Sequence, residues 1–569
     1  MTNTAEGPRS LSQKMFSSRC AAKVRKATLR MNFFRCVLLY LVFASLIGGG
    51  IICGFSPDIS YIDGLFLAIS ACTGTGLGTV EMNVLSTGSF VTIFILMFMG
   101  GTVVLLVPPM IYRRAVFSKI HPKLKAFVEK EGRTDRPSVN ALVAVMRKRE
   151  LLHRALGMMM FAILLYLFLW LFCGAFIMYG ITLGYPHPAE LVSRGFTKLW
   201  TASFLTASCF FNCGYTLTSD SLMEYVNAPG VYLWCCCLIL AGNTAAPMCI
   251  RGIVRTMHHL AAPLRLDRDG LKFALDHPRL VTTHMFDHTQ TMVLIGLLFV
   301  INGVQYAFFL SSDLNRPSMQ VYGDQATLAG IGFFQTISTR NAGLQLVDLR
   351  RTNQGMLMVY IFTMYISAAP FISRMYVSEQ YIDAKGKTRN THEESKGAWG
   401  RFSSNYLFRH TAALYAAVLV CAFAEDVRLT MSESGVFYII FEIISAYGNV
   451  GLSLGYPGMN YSLTGAMSSL SKFVIMTVML LGKLRGLPTH TDIITDFDFR
   501  EVKKSLRRAV SDASRDPSEA ADSDSESDSD EEEEEIDVVQ VHLDPLRRSV
   551  EAARRSLFAV EAPSPAAAA

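Results

Sequence analysis

Charge is what this sequence has little of. Asp, Glu, Lys and Arg make up 18% of its 569 residues, against about 25% in an ordinary soluble domain. The deficit deepens before residue 490, because much of the acid is gathered in one late block, 521–535. Hydrophobic residues reach 51%, which argues against a soluble enzyme. Catalytic constellations are missing as well: no paired carboxylates or histidine cluster converge on facing apolar segments, as a membrane-embedded enzyme would need. The 12 cysteines show no metal spacing with histidine, and runs such as Cys235-Cys236-Cys237 lie inside apolar segments, where they read as small buried hydrophobes. No cleavable leader is visible. The basic start (Arg9, Lys14, Arg19, Lys23, Arg25, Lys26, Arg30) runs straight into an apolar helix too long for one.

What the sequence does have is apolar length. Stretches able to cross a bilayer, roughly 20 residues each, are expected near 33–54, 88–112, 156–182, 230–250, 290–311, 355–375, 404–424 and 463–483. They fall into four pairs, each enclosing a weaker segment rich in Gly and Thr. Basic residues follow the second member of every pair: Arg113 to Arg149, then Arg251, Arg255, Arg265 and Arg268, then Arg374, Lys385, Lys387 and Arg389, then Lys483, Arg485, Lys503, Lys504 and Arg507. The positive-inside rule therefore predicts cytosolic termini and inter-pair loops. The enclosed segments enter from outside and return.

Those segments align: "AISACTGTGLGTVEM" (68–82), "TASCFFNCGYTLTSD" (206–220), "TISTRNAGLQLVDL" (336–349) and "IISAYGNVGLSLGYPG" (443–458). Each has an apolar helical lead, a Ser or Thr, and a glycine followed by a bulky residue: Gly76-Leu77, Gly214-Tyr215, Gly343-Leu344, Gly451-Leu452. A pattern occurring four times in the same setting marks an internal repeat, and four copies can close around an axis. Non-helical backbone at membrane depth is tolerated where it is buried in protein or lines a water-filled path. Glycine allows the required angles and leaves carbonyls free to replace a cation's hydration shell. The short helix before each glycine points its negative end the same way. The plainer alternative, close helix packing at each glycine, does not require four copies in register.

The region 33–490 is similar to the Trk/Ktr/HKT superfamily of potassium and sodium transporters. "ILAGNTAAPMCIR" (239–251) and "FNCGY" resemble the plant HKT branch. "FEIISAYGNVGLSLGYP" and "LSKFVIMTVMLLGKLRGLP" resemble the fourth repeat of fungal Trk and plant HKT proteins, and "MYISAAP" (364–370) resembles fungal Trk. The resemblance implies an all-α polytopic fold of four helix–pore segment–helix (M1–P–M2) repeats, with eight transmembrane helices around a central ion pathway. It implies a filter of one glycine per repeat (Gly76, Gly214, Gly343, Gly451, with neighbours Thr75, Cys213, Ala342 and Val450), with K+ held there as the transported ion. It further implies a homodimer with one pore per subunit, in the lipid of the plasma membrane. The third and first motifs match less closely than the fourth, and the loop between the first two repeats is shorter than in fungal Trk proteins. With no nucleotide fingerprint in this chain, any cytosolic regulatory partner is a separate protein. No cofactor and no nucleic acid are implied.

On this reading the chain divides into a basic N-terminus (1–32), repeat A (33–112), a basic cytosolic loop (113–154), repeat B (155–255), repeat C (286–377), repeat D (403–490) and a tail (491–569). In the plant branch a serine at the first filter position goes with sodium preference and a glycine with potassium. Gly76 thus implies potassium, with sodium or mixed transport, by uniport or symport, as the alternative. Gly76→Ser is accordingly expected to be tolerated and to favour sodium, and Gly451→Ser to impair permeation. A non-conducting sensor or auxiliary subunit is the remaining rival, and intact glycines in all four repeats speak against it.

Other residues carry two readings each. Glu442 either contacts ions or supports a pore helix, with Asp63 in a like place in repeat A. Arg340 either braces the filter or faces the pathway. Asn212 and Asn449 are further filter supports. Lys483, in "GKLRG", or Lys472 is a candidate barrier in the pathway, against the reading of an interfacial lysine. The tail block "ADSDSESDSDEEEEE", with Ser523, Ser525, Ser527 and Ser529, is either a solvating or a phosphorylatable regulatory tail, and 543–560 has the pattern of a basic amphipathic helix. Asn460-Tyr461-Ser462 is a glycosylation sequon on the outer side.

Overall fold

The computed structural model describes residues 33–115, 117–118, 137–263, 265–282, 285–286, 288–366, 381–382, 388–389, 411–426 and 435–485. The basic N-terminus, the acidic tail with its serines, the helix expected at 543–560 and most of "MYISAAP" lie outside these residues. The chain divides into two compact units. One takes in Met1–Ile111, Ala155–Tyr376 and Lys396–Thr489, and the other Tyr112–Arg154, Val377–Ser395 and His490–Ala569.

Four times along the first unit a leading helix is followed by a short helix of 13 to 17 residues, a stretch of extended backbone, and a closing helix. In the first group these are α1 (Phe33–Phe55), α2 (Tyr61–Thr73) and α3 (Thr87–Gly100), with α4 (Val104–Ala115) bent 45° from α3. The second group has α5 (Pro137–Phe168), a π-turn at Leu169–Cys173, α6 (Gly174–Leu183), α7 (Lys198–Phe210), α8 (Pro229–Gly242) and α9 (Ala246–His259), the last two meeting at 79°. After α10 (Arg268–Asp276), the third group has α11 (His288–Ser312), α12 (Gln325–Asn341) and α13 (Gln354–Tyr365). The fourth has α14 (Thr411–Ala424), α15 (Val436–Gly448) and α16 (Ser469–Leu484).

In the second unit the described residues include the start of α5 and an antiparallel pair of two-residue strands, β1 (Tyr381–Ile382) and β2 (Thr388–Arg389). The segment expected as a basic loop up to residue 154 is therefore helical from Pro137 onward. Its sequence, "ALVAVMRKRELLHRAL", consists mainly of good helix formers.

Eight spans were expected. Among the described residues three helices are long and apolar enough to cross a membrane, or five if each bent pair counts as one span. The difference has local causes. The closing helices α3 and α8 stop at Gly100 and Gly242, where the backbone packs against the short helix before it: a Cβ on Gly100 would overlap the Cys72 carbonyl, and one on Gly242 the Phe210 carbonyl. Gly482 on α16 meets the Tyr447 carbonyl in the same way. Helices α13 and α14 are described only in part of their expected length.

Two of the short helices are started by side chains that accept N–H groups left free at a helix N-terminus. Ser60 Oγ accepts from Asp63 N on α2 (3.3 Å), and Thr197 Oγ1 accepts from Trp200 N on α7 (3.2 Å). A longer-range device links three closing helices to their own leading helices. The N-cap N–H of α3 (Ser86) donates to Ser56 Oγ at 3.0 Å, that of α13 (Asn353) to Asp313 Oδ1 at 2.8 Å, and that of α16 (Ser468) to Glu425 Oε1 at 2.7 Å. All three acceptors are buried. In the second group the N-cap N–H of α8 (Ala228) donates instead to the nearby Tyr225 O at 2.9 Å, and Pro229 at the first helical position has no N–H. Among the described residues two large apolar clusters lie in the unit. One includes Leu205, Val231, Ile331, Phe334 and Tyr360 of α7, α8, α12 and α13; the other includes Phe66, Ile443, Ile475 and Met479 of α2, α15 and α16.

Glu425 also accepts from the Ser468 and Ser471 hydroxyls, at 2.5 and 2.7 Å. Glu425→Ala leaves these buried donors without their acceptor, at about 1–3 kcal/mol each. The expected outcome is a clearly lowered unfolding midpoint in detergent, with Glu425→Gln losing less. Equal midpoints for wild type and Glu425→Ala would show that the cap carries no stability.

Candidate functional site

The four extended segments converge. Gly76, Gly214, Gly343 and Gly451 all have positive φ, at 89°, 82°, 63° and 92°, a region that side chains disfavour. Space forbids a side chain as firmly. A Cβ on Gly76 would overlap the Cys213 carbonyl, on Gly214 that of Ala342, on Gly343 that of Val450, and on Gly451 that of Thr75. Each glycine thus lies against the carbonyl one residue before the next glycine, and the order closes: first, second, third, fourth, first. Thr75, Cys213, Ala342 and Val450 are fully buried.

The approach to each glycine is set by its short helix. Helix α2 ends on Gly74 (φ 68°), α7 gives way to Asn212 (φ 55°) and α15 ends on Asn449 (φ 51°). These are left-handed positions suited to Gly and Asn. The next N–H returns to the helix: Thr75 N to Ser70 O (2.9 Å), Cys213 N to Ser208 O (2.9 Å), Val450 N to Ser445 O (3.0 Å). The Ser70 and Ser445 hydroxyls then accept the glycine N–H itself, Gly76 N at 2.9 Å and Gly451 N at 3.1 Å. The third segment is one residue shorter between serine and glycine. There α12 runs on to Asn341, and Gly343 N donates directly to Ser338 O (3.3 Å).

Hydrogen bonds also cross every seam between groups. Tyr215 Oη donates to Leu77 O at 2.7 Å. Leu222 N donates to Gln345 O (3.0 Å) and Gln345 N to Ser221 Oγ (3.1 Å). Gln345 Nε2 reaches Ser453 O at 2.9 Å. Ser462 and Gly78 are paired twice, Ser462 N to Gly78 O at 2.9 Å and Gly78 N to Ser462 Oγ at 3.0 Å. Asn243 Nδ2 donates to Asn341 Oδ1 at 3.1 Å. Of these residues the sequence reading singled out Leu77 and Tyr215, as bulky followers, and Ser462, as part of a sequon. Arg485, counted there only as a positive charge, caps carbonyls of Tyr365 (3.2 Å) and Gly448 (3.3 Å) and lies over the Tyr447 ring.

The charged candidates separate. Lys483 is partly buried at the end of the ring where the strands begin. Its Nζ is 3.4 Å from Thr102 Oγ1 and 3.8 Å from where a Cβ on Gly74 would stand. Lys472, eleven residues earlier on α16 and so about 16 Å along the axis, is engaged elsewhere: it forms a 2.6 Å ion pair with Asp63 at the start of α2. Glu442 is fully buried, and its carboxylate accepts from the Thr464 N–H (3.1 Å) and hydroxyl (2.6 Å), holding the turn at 463–466. Arg340 is buried in the last turn of α12. Asn212 Nδ2 donates to Phe210 O at 3.3 Å, and Asn449 Nδ2 to Thr75 Oγ1 and Met479 O at 3.0 and 2.9 Å. The asymmetry expected between Gly76 and Gly451 has no counterpart here, since a Cβ at either overlaps a carbonyl of the adjoining strand.

At the opposite end of the strands from Lys483, Asn460 draws two acids together. Its Nδ2 donates to Asp220 Oδ1 (2.5 Å) and its backbone N to Glu81 Oε1 (3.4 Å). Partial burial, with Glu190 and Glu81 nearby, pushes the Asp220 carboxyl above its usual range.

This chain is similar to several fungal proteins. Potassium transporter TRK1 of Candida albicans is 33% identical over 317 residues, 54% of this chain and 30% of that one. The low-affinity potassium transport protein of Saccharomyces cerevisiae is 30% identical over 345 residues, 54% of this chain and 39% of that one. Potassium transport protein 2 of Schizosaccharomyces pombe is 27% identical over 437 residues, 70% and 49%. The matches thus span between about a third and a half of the length of these relatives. Among solved structures, the crystal structure of the potassium transporter TrkH from Vibrio parahaemolyticus is 15% identical, covers 80% of this chain and 83% of that one, and has a TM-score of 0.45. The family model described as TrkH, cation transport protein, matches residues 141–500, from α5 through all of the second, third and fourth groups. Mostly helical, with several helices apolar and long enough to cross a membrane, the chain belongs to the TrkH family of cation transport proteins.

Proposed function

We propose that this chain carries potassium across the plasma membrane through the ring of Gly76, Gly214, Gly343 and Gly451, which serves as its selectivity filter. The observation that carries this reading is the closed order of contacts, with each positive-φ glycine lying against the carbonyl that precedes the next. Carbonyls so arranged stand in for the hydration shell of a cation. The four short helices end at the ring, and their C-terminal partial charges favour a cation there. The names of the fungal relatives support potassium as the ion.

In this reading the four groups are M1–P–M2 repeats giving eight spans, with both termini cytosolic and two such subunits forming a dimer. The Lys483 end of the ring is cytosolic, and the Asn460 end opens outward. A positive charge beside the inner end opposes a passing cation by direct repulsion, so Lys483 acts as a barrier. Glu442, Arg340, Asn212 and Asn449 support the strands from behind.

Expression is expected to restore growth and rubidium uptake to a cell lacking potassium uptake in low potassium. Gly76→Ala and Gly451→Ala are expected to abolish uptake alike, since left-handed backbone alone costs a side chain about 1–3 kcal/mol and the overlap adds to it. Surface-expressed wild type without uptake would refute potassium transport. Normal uptake by either alanine variant would remove that glycine from the filter.

Asp220 gives a pH signature. Its raised pKa means that its negative charge is lost on acidification sooner than that of a free aspartate. The apparent KM for potassium should therefore rise as external pH is lowered, with little change in maximal rate. Asp220→Asn should flatten this response. An identical profile in the variant would show that Asp220 does not set the field at the mouth.

A further inference from the structure

The ring has four seams but its side chains do not join them equally. Two residues before each glycine stand Gly74, Asn212, Asn341 and Asn449, and one residue before the next glycine around the ring stand Cys213, Ala342, Val450 and Thr75. Only where the fourth group meets the first do both partners have hydrogen-bonding side chains of the right kind. There Asn449 Nδ2 donates to Thr75 Oγ1 at 3.0 Å, between residues 374 positions apart in sequence. At the seam from the second group to the third the corresponding residues are Asn212 and Ala342, and from the third to the fourth Asn341 and Val450, so only one of each pair has a hydrogen-bonding side chain. Asn212 Oδ1 and Asn341 Nδ2 are buried with no hydrogen-bond partner among the described residues, as expected if the position across each seam offers them none.

The Asn449 contact is part of a continuous chain. The orientation of its carboxamide is fixed, because its second N–H donates to the Met479 carbonyl, an acceptor only, at 2.9 Å. Thr75 Oγ1 lies 2.7 Å from Thr73 Oγ1, and Thr73 donates to Ile69 O at 2.8 Å. With Asn449 donating to Thr75, the hydroxyls are satisfied in one direction: Asn449 to Thr75 to Thr73 to the helix α2 carbonyl. At its other end the chain is anchored one turn before Lys483 on α16.

We propose that Asn449 and Thr75 form a positioning strap that fixes the Thr75 carbonyl at one seam of the ring, so that the discrimination between potassium and sodium depends on this seam more than on the other three. The proposal rests on the filter reading above. Neither side chain need touch the ion. The strap acts through the strand whose carbonyl does. A cation smaller than potassium is held by carbonyls that close in on it, and a strand tied by its side chain resists that movement.

The test is the potassium-to-sodium permeability ratio, measured from reversal potentials at matched surface abundance. Thr75→Val, equal in shape but without the hydroxyl, should lower the ratio roughly three- to tenfold, the effect of losing one hydrogen bond of ordinary net strength. Thr75→Ser should keep it. Asn449→Gly, which preserves the left-handed backbone, should match Thr75→Val, and the double variant should be no worse than either single one. If Thr75→Val does not reach the surface, Asn449→Gly carries the test. A wild type that does not discriminate would refute the filter reading itself. A selective wild type whose ratio is unchanged in Thr75→Val or Asn449→Gly, or equally lowered in Thr75→Ser, would overturn the strap alone.

Discussion

Everything in the first unit is arranged around backbone that lies too close to backbone for any side chain to intervene. At the ring, each glycine Cα faces a carbonyl of the neighbouring strand. Behind it, Gly100, Gly242 and Gly482 let closing helices press on the ends of the short helices. In water such exposed carbonyls would be solvated. In an apolar surround, unpaired backbone costs several kcal/mol per group, so the strands must be satisfied from behind by side chains while their carbonyls stay free in front. The hydroxyls of Ser70, Ser445, Ser221 and Ser462, which accept from Gly76 N, Gly451 N, Gln345 N and Gly78 N, meet that requirement.

Buried charge follows the same logic. Glu442, Glu425 and Asp313 are almost wholly removed from solvent, and each is engaged by N–H or hydroxyl donors of a turn or helix start. A buried carboxylate without such partners is unaffordable. Lys472 has Asp63. Lys483 stands apart, near the start of the strands, with a weak hydroxyl contact. That contrast is why two lysines on one helix are assigned different parts.

Much of this was legible in the sequence because it is written four times. The helix, the serine and the glycine recur at nearly constant spacing, and a left-handed residue is announced by Gly74, Asn212 and Asn449. Pairing was not legible. Asp63 and Lys472 are 409 positions apart, and no local pattern says that they meet. Nor does spacing say which glycine neighbours which, or that Gln345 would tie two seams. The breaks after Gly100 and Gly242 were missed because hydrophobicity continues through them, and apolar length alone does not reveal a bend. The early start of α5 was hidden by its Lys and Arg, which were counted as loop charge although they are good helix formers.

The caps that join closing helices to leading helices have a consequence for biosynthesis. Ser56 with Ser86, Asp313 with Asn353, and Glu425 with Ser468 are contacts within a single group, 30 to 43 positions apart. Each of these three groups can therefore satisfy the start of its closing helix soon after it emerges from the ribosome. The seam between the first and fourth groups spans more than 370 positions and cannot close until nearly the whole membrane region exists. Contacts so remote in sequence are slow to form, so three of the four groups can cap themselves before the common axis is completed.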